Sequence, residues 1–182
     1  MNITLPDWIS EVPLPTHTSD EAVMRYAIEL AAMNVRMKTG GPFAAVVLNA
    51  HGGVVGTGVN LVTSKNCAVL HAEIVAIINA SENLQTWSLG SMGHITIVIT
   101  AEPCAMCMGA IPWAGIHRVV TSVRDQDVRA LGFDEGNKPQ GWIEHYHSRN
   151  IAVHRDVLRT EGVALLEMYK QSGGIIYNGA NK

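Results

Sequence analysis

Apolar positions along the chain switch between period 2 and near-helical spacing, and the switches mark out an order of elements. Met1 to Thr18 holds Pro6, Pro13 and Pro15 and reads as an irregular arm. Thr18 and Glu21 form a capping box for a helix running to about Lys38, where Gly40-Gly41-Pro42 stops it. Phe43 to Asn49 and Val54 to Val59 are apolar and β-branched, with His51-Gly52-Gly53 between them as a hairpin turn. From Ala72 to Ala80 the spacing turns helical (Ala72, Val75, Ala76), with His71 at its head. A strand from His94 to Thr100 leads into a short helix that opens at Pro103 and carries Pro112 near its end. Arg118 to Val123 reads as a strand and Asp125 to Leu131 as a short helix. After Gly132 the pattern weakens until a last strand at Ile151 to Val153. Asp156 to Tyr169 is an amphipathic helix that turns Val157, Leu158, Leu165, Leu166 and Tyr169 to the core, and Gly173-Gly174 ends it. Strands alternate with helices after an initial hairpin, so the expected fold is α/β, a mixed sheet with helices on both faces.

Composition narrows the picture. A chain of 182 residues, 47% apolar and 16% charged, fits one well-packed domain spanning 1–182, with an arm at 1–18 and a tail at 173–182. The formal net charge is −3 and the 13 Lys and Arg are scattered, which argues against a nucleic-acid surface. No basic start followed by an apolar core marks an export signal, and no apolar run approaches the roughly 18 residues a membrane helix needs. The expectation is a soluble, cytoplasmic protein. Three cysteines in a reducing compartment argue against a Cys104–Cys107 disulfide.

The chemistry concentrates in two short segments. His71-Ala72-Glu73 is answered downstream by Pro103-Cys104-Ala105-Met106-Cys107. One imidazole and two thiolates make a three-ligand zinc site with a fourth position for water, and Glu73 stands where it can handle that water's protons. Both cysteines on one helix start, near the positive end of its dipole, favour thiolate over thiol. H-x-E followed by P-C-x-x-C is the general signature of zinc nucleobase deaminases. The competing expectation is a closed structural site with Cys67 as fourth ligand, as in a non-enzymatic zinc-stabilised binding module. The other histidines, 51, 94, 117, 145, 147 and 154, lack ligand spacing to the motif.

These residues resemble the cytidine deaminase-like superfamily and, within it, the bacterial guanine deaminases. The resemblance runs from Gly41-Pro42-Phe43 to Tyr177-Asn178. It is most specific in Ala101-Glu102-Pro103-Cys104-Ala105-Met106-Cys107-Met108-Gly109-Ala110-Ile111 and in Gly132-Phe133-Asp134-Glu135. Trp113 also fits guanine deaminases, whereas tRNA adenosine deaminases usually carry a histidine-serine pair in that region.

The resemblance implies a three-layer fold on a mixed five-stranded sheet. It implies one Zn2+ per subunit on His71, Cys104 and Cys107, with a catalytic water, and Glu73 as proton shuttle. Asn60 is implied to hydrogen-bond the base, Ala72 to lie against it and Phe133 to pack on its ring. Glu135 is implied as a second acid assisting loss of the amino group, at a position where some members have Asp. The implied reaction is hydrolysis of guanine to xanthine and ammonia. The alternatives are a tRNA adenosine deaminase, or a deaminase of another small amino-azine such as ammeline, cytosine or a nucleoside. Taken alone, Asn60 also suits the end of a turn, Phe133 the core and Glu135 a solvated loop. Family likeness further implies a homodimer, in some members with an exchanged C-terminal segment. The tail would then cover an active site, its own or a neighbour's, with Tyr177 foremost.

Overall fold

The structure is a computed structural model that describes residues 3–178. Residues 1–2 of the arm and 179–182 of the tail lie outside the described residues. Five strands form one mixed sheet in the order β2-β1-β3-β4-β5: β1 (Ala44–Leu48), β2 (Val54–Val59), β3 (Thr96–Ala101), β4 (Arg118–Val123) and β5 (Ala152–His154). β1 pairs antiparallel with both β2 and β3, while β3–β4 and β4–β5 are parallel. The expected three-layer α/β architecture is present.

Side-chain alternation on β1 divides the core in two. Ala44, Val46 and Leu48 face α1 (Asp20–Arg36) and α6 (Arg159–Gln171), where Val23, Ala27, Leu30 and Leu165 pack. Ala45 and Val47 face the opposite layer, α2 (Ala72–Asn83), α3 (Ala105–Trp113) and α5 (Trp142–Ser148). A third cluster closes the carboxyl ends of β3 and β4 with Ala101, Val123, Val128, Phe133, Leu166 and Tyr169. Here β3 has an antiparallel neighbour on one side and a parallel one on the other, so the connections leave in different directions and open a crevice.

Two glycines set how closely α2 lies on the sheet. A Cβ at Gly58 would sit 2.2 Å from the Ala72 carbonyl oxygen, and one at Gly56 2.6 Å from that of Ala76. Without side chains there, α2 rests directly on β2 and its first turn, with His71 and Glu73, is held at the crevice. Asn79 and Asn83 donate from Nδ2 to the Thr57 and Val55 carbonyls at 2.8 and 3.0 Å, which occupies the exposed edge of β2.

Several boundaries differ from the sequence pattern. The cap of α1 is Ser19, whose hydroxyl accepts from the Ala22 amide at 3.3 Å, one residue beyond the Thr18 box. The arm contains a 3-10 turn at Asp7–Glu11 that buries Trp8, whose indole donates to Thr39 Oγ1. The short helix expected at Asp125 to Leu131 is present with those bounds as α4 (Asp125–Leu131), whereas the weak region after Gly132 hides α5. In α5 the buried pair Trp142 and Tyr146 at i, i+4 was the missed signal. α6 starts at Arg159 rather than Asp156, because Asp156 and Leu158 adopt left-handed backbone (φ 65 and 52) as the chain turns off β5. No helix among the described residues is long and apolar enough to cross a membrane.

Candidate functional site

Two helix starts meet at the crevice. His71 is the N-cap of α2 and Cys104 the N-cap of α3, both in extended backbone, and Cys107 lies three residues into α3. Pro103 precedes the cap rather than opening the first turn, and the first helical position falls to Ala105, whose amide donates to the Glu135 carbonyl at 3.0 Å. Cys104 Sγ lies 3.5 Å from His71 Nδ1, and the ligand atoms of His71, Cys104 and Cys107 all lie within 4.8 Å of one another.

The charges answer to this crowding. The hydrogen bond from Cys107 and, against burial, the contact with His71 bring the Cys104 thiol down to about 4. The hydrogen bond to Cys104 and burial push Cys107 well above its usual value, so the pair shares one proton. Burial opposes an imidazolium at His71, but the Cys104 hydrogen bond and the charges of Glu73, Cys104 and Glu135 outweigh it and raise its pKa. Burial first, then the Cys104 charge, raise Glu73 against the pull of His71.

A cavity of ≈ 210 Å³ opens beside this cluster. Its lining includes His71, Glu73 and Cys104 of the cluster, Asn60, Ile99 and Thr100, and the rings of Phe43, Phe133 and Tyr177. Both phenylalanines of the chain are thus spent on one wall. Phe133 meets Phe43 edge-on at 5.2 Å and Tyr177 at 4.9 Å between ring centroids. Glu135 also lines the cavity, and burial, then the charges of Cys104 and Glu73, push its carboxyl up to about 8 despite Lys138. It is a buried acid, 8% exposed, not a solvated one.

Every residue the sequence singled out for the site lies in this region. Asn60 does two things at once: its Oδ1 accepts from the Val62 amide at 3.2 Å, closing a turn, and it lines the cavity. Phe133 likewise belongs both to the third core cluster and to the cavity wall. Ala72 is fully buried and packs with Ala76 and Ala80, which leaves only its main chain to a ligand.

Sequence reasoning missed Asn34. It is fully buried in α1 and donates from Nδ2 to the carbonyls of Gly41 and Asn60 at 2.9 and 2.8 Å, while its Oδ1 accepts from Thr39. A polar residue continuing the apolar face of α1 (Ala27, Leu30, Ala31) into its last turn was the available signal.

The donor set fits a zinc ion. One imidazole and two thiols converge from two helix N-termini, whose dipoles favour thiolate, and a cation between them would favour loss of the shared proton. Among the described residues no fourth donor joins the group, and Cys67 stands outside it, so the geometry is that of an open site.

Comparison with known proteins agrees with this geometry. A family model for the cytidine and deoxycytidylate deaminase zinc-binding region matches residues 17–123. The solved structure of guanine deaminase from Nitrosomonas europaea is 36% identical, with a TM-score of 0.88 over 94% of this chain and 96% of that one. A structure in complex with 2,6-diaminopurine is 38% identical, with a TM-score of 0.89 over 97% of this chain and 96% of that one. Guanine deaminase of Bacillus subtilis is 35% identical over 115 residues, 63% of this chain and 71% of that protein. The tRNA-specific adenosine deaminase of Haemophilus influenzae is 36% identical over 113 residues, 62% of this chain and 63% of that protein.

Proposed function

This chain belongs to the cytidine and deoxycytidylate deaminase zinc-binding family, and from that premise we propose that it hydrolyses guanine to xanthine and ammonia. The observation that carries the reading is the cavity itself. It is small, walled by aromatic rings, and holds two buried carboxyl groups, Glu73 and Glu135, beside the His71, Cys104 and Cys107 cluster.

These three side chains would hold the zinc ion, which when bound would supply Lewis acidity and lower the pKa of water to about 7. The remaining work falls to the protein. Phe133 covers one face of the purine ring, and the Asn60 amide, with its oxygen committed to Val62, offers its NH2 to a base acceptor. Glu73 takes a proton from the attacking water and passes it to the ring nitrogen beside the carbon that bears the amino group. Glu135, its carboxyl kept protonated by burial, gives its proton to the departing amino nitrogen and takes back the proton of the new hydroxyl as the carbonyl forms, so that guanine and water leave as xanthine and ammonia. Ala72 contributes main chain only. Such a reaction belongs to purine breakdown.

Three further features follow. Tyr177 and Asn178 lie over the cavity of their own chain, which supports a lid in cis over an exchanged segment. α3 is apolar all round, yet its outer side, with Met106, Gly109 and Trp113, is exposed, Trp113 at 89%. A helix of that kind calls for a partner on its free face, which supports a homodimer through α3 with one zinc per subunit. Free Cys67, Cys104 and Cys107 suit a reducing compartment, the cytoplasm.

The alternative with an observation behind it is adenosine in tRNA, because a tRNA-specific deaminase is nearly as similar in sequence. The tail over the cavity and the net charge of −3 favour the free base. Ammonia release from guanine, adenine, cytosine, ammeline and their nucleosides, alongside inosine formation in tRNA, tests the choice. Guanine is expected to be turned over fastest, and tRNA editing with no release from guanine would overturn the reading.

A further inference from the structure

Residues 132–141 carry Phe133 and Glu135 and contain no helix or strand. Individual anchors therefore hold this loop over the cavity. Its backbone is fixed where the Ala105 amide donates to the Glu135 carbonyl at 3.0 Å and where Arg129 Nη2 donates to the Gly136 carbonyl at 2.8 Å. A different kind of anchor lies at Lys138, whose side chain is 6% exposed although it lines no part of the cavity. Its Nζ lies 3.5 Å from Glu102 Oε2, 3.3 Å from Asp125 Oδ1 and 5.0 Å over the Trp142 ring. Glu102 Oε2 also accepts from the Asp125 amide at 3.0 Å, and its other oxygen pairs with Arg155.

Two carboxyl groups and two basic side chains thus meet in one cluster, in which the Lys138 and Glu102 side chains are buried and those of Asp125 and Arg155 partly exposed. Burying an amine is costly unless it is paired and hydrogen-bonded, so only a position between Glu102 and Asp125 satisfies Lys138. Those partners belong to the frame of the site. Glu102 directly follows the last residue of β3 and stands two residues before Cys104, and Asp125 opens α4. Lys138 is three residues beyond Glu135, so its placement sets the loop's position relative to the cysteine helix.

We propose that Lys138 is a positioning residue, whose bridge to Glu102 and Asp125 fixes the loop so that the Glu135 carboxyl reaches the amino group of the substrate. This rests on the deaminase reading above. An acid displaced by about 1 Å can lose on the order of a hundredfold in rate, whereas ring packing on Phe133 tolerates such a shift.

The test uses full-length protein with zinc content, guanine kinetics and amide exchange at Ala105 measured together. Lys138→Met keeps the aliphatic stem against Trp142 and removes the cation, and Lys138→Arg keeps a cation of similar reach. In Lys138→Met, kcat should fall about tenfold or more with KM for guanine nearly unchanged, zinc content parental and Ala105 exchange faster. Lys138→Arg should restore most of kcat. Parental kcat with parental Ala105 exchange in Lys138→Met would overturn the proposal, as would a loss that tracks zinc content or that arginine fails to restore. Should Lys138→Met not fold, Asp125→Asn must give the same signature at smaller amplitude, and parental kcat there counts against the proposal. If the parent protein releases no ammonia from guanine, the functional reading fails while Ala105 exchange still decides the anchor.

Discussion

Asn178 exchanges two hydrogen bonds with the loop around Asp134: its Oδ1 accepts from the Asp134 amide at 2.8 Å and its Nδ2 donates to the Gly132 carbonyl at 3.0 Å. The reciprocal pair ties the C-terminal tail to the segment that carries Phe133 and seats Tyr177 against the Phe133 ring. Asn178→Ala removes both bonds, at a cost of about 1 kcal/mol of lid closure for a solvent-exposed pair. The expected result is an increase of about fivefold in KM for guanine, read by steady-state ammonia release. An unchanged KM would show that the tail is no lid.

Glu73 sits in a setting that already favours its protonated form, so Glu73→Gln places a neutral group of the same shape where a neutral group is tolerated. The variant should fold and bind zinc as the parent does while turnover falls by about 10²–10⁴. Metal analysis and guanine kinetics on one sample check this. Normal turnover with full zinc would remove Glu73 from the mechanism.

Glu135 offers a pH test in chelated, metal-free protein. Its carboxyl titrates at about 8 in the folded chain against 4.5 in the unfolded one, chiefly through burial. The folded state then binds the extra proton between those values, and stability is present below 4.5 and lost as pH rises through about 8. The slope from one group reaches at most about 1.4 kcal/mol per pH unit. Urea midpoints for the parent should fall across this window, and Glu135→Gln should flatten the fall. Equal slopes would mean that Glu135 is ionised in the fold.

The exposed Trp113 on α3 bears on assembly. Trp113→Glu should shift the chain from dimer to monomer in sedimentation without lowering the thermal midpoint of the monomer, because the indole, 89% exposed, buries little surface within its own chain. A monomeric parent, or a variant that stays dimeric, would refute an α3 interface.

The legible parts of this protein are those in which residue identity carries the chemistry. One histidine and two cysteines make a metal site wherever the chain brings them together, and period-2 and helical spacing marked all five strands and the main helices. Boundaries shifted where a side chain from elsewhere intervened. α6 begins three residues late at a turn where Asp156 pairs with Arg124, and Pro103 precedes its helix because the cap is Cys104. α5 stayed hidden because Ile143, Glu144 and His145 separate Trp142 from Tyr146 only in sequence; on a helix the two rings meet, at 5.5 Å between centroids.

By itself, then, the sequence determined the reaction class, through His71, Glu73, Cys104 and Cys107, since ligand type and spacing are local properties. Only the tertiary structure decided that Glu135 is a buried acid, that the Asn34 side chain bonds the Asn60 carbonyl, that Lys138 pairs with Glu102 and Asp125, and that Asn178 bonds the loop at Gly132 and Asp134. Asn34 lies 26 positions from Asn60, Lys138 36 from Glu102 and Asn178 44 from Asp134. Contacts over such separations leave no periodic trace in the chain, because folding brings together residues whose neighbours in sequence have nothing in common.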